Sequence, residues 1–279
     1  MPIHDQSYRR YGGTRETPGR AWMVIASAGI RQMIRKRAFL GLLLFAWLPF
    51  VVRAVQVYIA SNFPQAALLA PTAETFREFM DQQGPFVFFV TIYVGAGLIA
   101  HDRRANALQI YLSKPLMRAE YIAGKLTILA TFLLLVTLVP GILLLLLQIA
   151  FAGSFDFARA NLVLFPAITL AALIQVLLAS FTMLALSSLS KSARYVAILY
   201  AGLIFFTKAM FGALTLIMGT TRVAWVSFSD NLIQVTDVIF RLKPRYDVPW
   251  VVSLVVIIGL IVISASVLER RVRGVEVVT

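Results

Sequence analysis

The chain has 279 residues, 59% of them hydrophobic and 14% charged, with a mean hydropathy of +0.82. A soluble domain is nearer half apolar and a quarter charged, so the composition argues for an integral membrane protein. The absence of cysteine excludes a disulfide framework, an iron–sulfur centre and a thiolate zinc site. The net charge of +13 sits on basic residues that flank apolar runs and form no groove-lining module, a distribution that argues against nucleic-acid binding.

Residues 1–19 read as a polar tail. The stretch 20–37, with Trp22, Met23, Ala26, Ile30 and Met33 at steps of 3 and 4 and Ser27, Arg31 and Arg35 on another face, predicts an amphipathic helix in the headgroup plane. The first long apolar run begins near Ala38, after this basic segment, and reads as a retained span, not a cleaved signal.

Six runs are long enough to cross a bilayer, at about 38–60, 85–101, 121–149, 161–187, 195–217 and 248–268. The region 38–268 therefore reads as one six-span domain, with 269–279 as a second tail. Pro49, Pro140 and Pro166 should kink or end helices where they fall. Of the Lys and Arg residues, eighteen fall on the side of both termini, of loop 101–120 and of the link between spans 4 and 5, against six on the other side. The positive-inside bias makes the first side cytoplasmic, including both termini.

The outer loops, 61–84 and 219–247, differ in character. The first holds "PTAETFREFMDQQG", in which Thr75 and Glu78 have capping-box spacing for a short surface helix. In the second, Leu232, Val235, Ile239 and Leu242 make one helical face. Ser229 or Asp230 is placed to cap it, with Pro244 beyond its end, so an interfacial helix or partial re-entry is expected.

Little catalytic chemistry is present in the sequence. His4 and His101 form no cluster, and "AGKLT" (residues 123–127) fails as a phosphate loop because Ala119 and Leu126 replace required residues. Gly95 and Gly97 suggest close helix packing. The spans contain essentially no carboxylate, which disfavours a proton-coupled carrier. Lys208 is the one cation deep in a span, and it needs a partner, a wet cavity on a translocation path, or a route to the interface. Arg53 reads as an interfacial anchor, and Gln148 and Gln175 as hydrogen-bonding groups between helices.

Between spans 2 and 3 lies "LIAHDRRANALQIYLSKPLMRAEYIAGKL". At 100° per residue Asp102, Asn106 and Gln109 share one arc, and Ala105, Leu108 and Leu112 another, with Tyr111 at its edge. Asp102 suits a helix start, and Ser113-Lys114-Pro115 breaks the helix before Arg118. A two-faced helix fixed at both ends to spans can carry force from a partner.

This stretch resembles the loop between spans 2 and 3 of ABC-2-type transporter permeases, the membrane subunits of bacterial ABC exporters. The resemblance rests on Asp102-Arg103-Arg104, Ala107-Leu108-Gln109, Tyr111-Leu112-Ser113-Lys114-Pro115, Arg118, Tyr121 and Gly124-Lys125. It implies an all-α polytopic fold with six transmembrane helices, an N-terminal amphipathic connecting helix and a cytoplasmic coupling helix. It further implies a non-catalytic subunit in the bacterial cytoplasmic membrane, with Asp102, Arg103, Arg104, Asn106, Leu108, Gln109, Tyr111, Leu112, Lys114, Pro115 and Arg118 at the ATPase contact. ATP and Mg would be bound by two copies of a separate ATPase subunit, beside a second permease copy or a paralogue. Export of an amphipathic or lipid-like cargo is the expected function. A mechanical, non-transporting membrane component and a secondary transporter are the alternatives.

Overall fold

The computed structural model describes residues 20–63, 71–107, 117–151 and 162–272. Among them there is no strand, and six helices are long and apolar enough to cross a membrane. The chain is an all-α, polytopic integral membrane protein.

Helix α1 (Ala21–Ile34) precedes the spans and lies on α4 (Arg118–Phe151). Two glycines permit that approach. A Cβ on Gly124 would stand 3.0 Å from the Trp22 carbonyl oxygen, and one on Gly29 would collide with Ile128. The amphipathic segment is thus a helix whose face at Ile25 and Ala26 is taken by α4, while Val24, Arg31 and Arg35 stay exposed.

The spans are α2 (Arg37–Asn62), α3 (Ala73–Arg104), α4, α5 (Leu164–Leu189), α6 (Ala193–Met218) and α8 (Trp250–Arg271). Two of the three prolines act as expected, and Pro166 does not. The ladder of α2 breaks at Trp47 just before Pro49, that of α4 breaks at Thr137 before Pro140, and Pro166 occupies the first turn of α5, where its missing N–H is harmless. Pro85, by contrast, lies inside α3 without ending it. The surface helix expected in loop 61–84 is therefore not separate. It starts at Ala73 and runs on as span 2, and its cap is Thr72, whose N–H donates to Thr75 Oγ1 at 3.1 Å, not the Thr75/Glu78 pair.

Helix α5 is the hub, packed against α3, α4, α6 and α8. Burial is uneven: half or more of the apolar stretches of α3, α4 and α5 is covered, against 11% for α2 and 6% for α6. Helices α2 and α6 therefore turn most of their surface to lipid or to another chain.

After Gly219, which closes α6 in the left-handed region (φ +63), a 3-10 turn (Thr221–Val226) leads into α7 (Phe228–Ile239). The Phe228 N–H donates to Thr207 Oγ1 at 3.1 Å, and Thr207 lies eleven residues short of the end of α6, about 16 Å at 1.5 Å per residue. The N-terminus of α7 thus sinks to about mid-height of the bundle, the partial re-entry expected of this loop. Its cap is Ser227, whose Oγ accepts from the Asp230 N–H, in place of the expected Ser229 or Asp230. Val235 and its neighbours Leu232 and Ile239 pack on α5 and α8, as the periodicity indicates.

Candidate functional site

Helix α3 changes character before it reaches the basic loop. Its ladder loosens into a π-turn over Thr91–Gly95, passes through non-helical turns at 96–99, and resumes over Ala100–Arg104. A restarted helix leaves its first N–H groups unpaired. Here a side chain from α5 supplies the missing partner. The fully buried Ser187 Oγ accepts from the Ile99 N–H at 3.1 Å and the Ala100 N–H at 3.0 Å, and donates to the Ala96 carbonyl at 2.9 Å. Gly95 allows the contact, because a Cβ there would strike Met183 of α5 and lie 3.0 Å from Leu129 of α4. The close-packing role read for the glycine pair is what the geometry at Gly95 shows.

Beyond the break, the end of α3 is tied to both neighbours. Asp102 Oδ2 accepts from Tyr121 Oη and from Lys125 Nζ, each at 2.7 Å, and both partners lie on α4. Lys125 also stands over the Tyr121 ring, 5.4 Å from its centroid. On the other side, an Arg103 guanidinium N–H donates to the Ser188 carbonyl of α5.

Asp102 lies in the first turn of the restarted stretch Ala100–Arg104, as its reading as a helix-start residue expects, and Lys125 with Tyr121 of α4 pairs it there. The helix ends at Arg104, and Asn106 takes the left-handed conformation at φ 52, so the helix does not run unbroken from Asp102 through Asn106. The part of the arc from Asp102 to Asn106 accordingly does not hold, and Gln109 lies outside the described residues.

Of the residues read as a partner contact, Asp102 and Arg103 are engaged internally. Arg104, Asn106 and Arg118 are exposed. Leu108, Gln109, Tyr111, Leu112, Lys114 and Pro115 lie outside the described residues. At Arg118 the loop closes onto α4, capped by the Met117 N–H donating to Glu120 Oε2 at 3.1 Å.

The far end of the bundle holds a second set of charges, organised by α7. Asp230, Asn231, Gln234 and Asp237 form a buried polar stripe on it. Asp237, with no exposed surface, accepts from Arg77 of α3 at 3.2 Å and from Arg245 Nη2 at 2.9 Å, and Arg245 reaches on to Asp81 at 2.8 Å. Arg77 also bonds Glu74 at 2.8 Å, and Arg53 of α2 bonds Glu78 at 2.9 Å and Gln56 at 2.9 Å. Arg53, read as an interfacial anchor, is a largely buried tie between α2 and α3.

Lys208, read as a cation in need of a partner, finds one. Its Nζ lies 2.6 Å from Asp230 Oδ1, which also accepts from Tyr246 Oη at 2.6 Å. Partial burial, then the bond to Asp230, pushes the Tyr246 phenol above its ordinary range and keeps it a donor. Lys208 stays half exposed on the flank of α6, beside Phe211. Gln148, expected to bridge helices, has its Oε1 buried without a partner among the described residues.

The far-end set is not legible in the sequence because the pairs that join its helices link residues far apart, Arg77 to Asp237 across 160 positions. One signal was present: Asp230, Asn231, Gln234 and Asp237 recur at helical spacing, a stripe that reads as solvated until the fold buries it.

A family model described as ABC-2 family transporter protein matches residues 23–271 of the sequence. No curated protein matches the chain.

Proposed function

From the premise that the chain belongs to the ABC-2 family of transporter proteins, we propose that it is the permease of an ATP-driven exporter, with segment 102–118 as the contact for a separate ATPase subunit. The observation that carries this reading is the double tie at the end of α3. Asp102 binds α4 and Arg103 binds α5, while Arg104, Asn106 and Arg118 are left exposed around the segment between them. A push on that segment acts on three spans at once. It meets the broken stretch of α3 directly, because the break lies immediately above.

The chain supplies no phosphate loop of its own, so ATP and Mg belong to the partner, in two copies beside two permeases. The loop end, which carries most of the basic residues, faces the cytoplasm of a bacterial inner membrane in this reading. Export of an amphipathic molecule fits the apolar interior.

Docking tests the reading. Changing Leu108 and Leu112 together to Asp places charge where the partner would have to desolvate it, at a cost of several kcal/mol, and 1.4 kcal/mol is already tenfold in affinity. The ATPase should be lost on purification while the six spans still insert. A double variant that keeps its ATPase and full transport would overturn the assignment.

A further inference from the structure

A cavity of about 390 Å³ lies between α3, α5, α6 and α7, at the level where α7 re-enters the bundle. That is within the range of roughly 300–1,000 Å³ typical of small-molecule sites. Its wall is built of apolar groups such as Met80, Val87 and Leu232, and of the rings of Phe88, Phe205 and Tyr200. Phe89 and Phe205, both in the wall, are 55% and 63% exposed, so the cavity reaches the flank of the bundle between α3 and α6.

Among all the residues of this wall only one carries formal charge, and it is the carboxylate of Asp81. Its Oδ2 is bonded to Arg245 at 2.8 Å, and its side chain remains 28% exposed. That guanidinium is shared with the buried Asp237, and Arg77 is shared between Asp237 and Glu74. Glu78 stands 4.0 Å from Arg77 and is bonded to Arg53, so four carboxylates draw on three guanidiniums; the set keeps one formal negative charge, and Asp81 is its member at the edge of the apolar space. Aromatic faces beside a negative charge attract an ammonium group.

We propose that this cavity binds an amphiphile with a single apolar body and a cationic end, an amine or quaternary ammonium, held at Asp81. That the bound amphiphile is also exported rests on the permease reading above; its binding does not. An anionic end would meet the Asp81 carboxylate, and a neutral end would forgo both the charge and the ring contacts.

Gly84 supplies a second variant. It lies in the wall, and a Cβ there meets nothing within 4 Å, so Gly84→Leu adds apolar bulk to the open space, while its place before Pro85 offsets the gain in helix propensity over glycine. The test uses the full chain alone in phosphatidylcholine nanodiscs, with radiolabelled decyltrimethylammonium measured by scintillation proximity. Saturable binding near one molecule per chain is expected, competed by unlabelled decyltrimethylammonium at least tenfold better than by decanol and not by decyl sulfate. It should fall at least tenfold in Asp81→Asn and vanish in Gly84→Leu, whose unfolding temperature should stay near that of the native chain.

No saturable binding by the native chain, binding retained in Gly84→Leu, or equal competition by the three head groups would each overturn the proposal. The competition series keeps it falsifiable even if Asp81→Asn fails to fold. Because no ATPase is present, failure here is distinct from failure of the docking experiment.

Discussion

Two carboxylates, Asp102 and Asp237, hold opposite ends of the bundle by different means. Asp102 is 19% exposed and has one cation, Lys125, and one phenol, so its tie is adjustable. Asp237 has no exposure and receives two guanidiniums and the Arg245 backbone N–H. Removing one member of a buried charge set leaves the others desolvated and unpaired, which costs about 3–5 kcal/mol, far more than a surface pair is worth. Asp237→Ala should therefore lower stability by about 3–5 kcal/mol and loosen α7, whereas Asp237→Asn, which keeps an acceptor in place, should cost less. Unfolding midpoints of the two variants in one detergent check the order. A loss below about 1 kcal/mol for the alanine variant would show that water or lipid headgroups already solvate the set.

Helix α3 is the element in which both ends meet, because it carries Arg77 and Asp81 at one end and Asp102 at the other. Its continuity depends on a hydroxyl from another helix. Ser187→Ala leaves the Ile99 and Ala100 N–H groups and the Ala96 carbonyl without their partner in a dry core, a loss of about 1–3 kcal/mol per unsatisfied group before relaxation. Hydrogen exchange at Ile99 and Ala100 should accelerate in that variant ahead of the rest of the helix. Unchanged protection at those two amides would mean that the backbone re-pairs within α3 and that the break is not pinned by Ser187.

The sequence made part of this element legible. Apolar run length located every span, and the breaks fell near Pro49 and Pro140, because a missing N–H acts locally. Gly95 was readable as a close approach for the same local reason. The π-turn and its Ser187 cap were not readable, since the partner lies about ninety residues away and serine is common in apolar helices. Pro85 reads as the boundary of a span starting at 85, which the longer helix α3 overrides because it begins at Ala73.

At the scale of the molecule, the uneven burial of the spans is the main unpaired feature. Helices α2 and α6, with 11% and 6% of their apolar stretches covered, are each lined with large exposed side chains, among them Leu44, Phe45, Leu216 and Ile217. Lipid covers such surfaces at no cost, so exposure alone does not require a partner. A two-permease complex, however, must use some face. Helices α3, α4 and α5 are already spent within one chain and α8 is more covered, at 22%, than either of the other two, which leaves α2 and α6 as the seam of the proposed assembly.

The absence of native cysteine makes both this seam and the orientation testable in one set of variants. Single cysteines at Thr72 and Ser192 should be labelled from opposite sides of the membrane, with Ser192 reached only from the cytoplasm. Cysteine at Val52 of α2 or Leu216 of α6 should form oxidant-induced crosslinks between two tagged copies, while Val262, as exposed on α8 as Val52 is on α2, should not. Labelling of Ser192 from outside would invert the topology and remove the ATPase from reach of the basic loop. Crosslinking at Val262 in place of Val52 and Leu216 would move the seam to α8, and force delivered at Asp102 would then have to cross α5 before reaching the second copy.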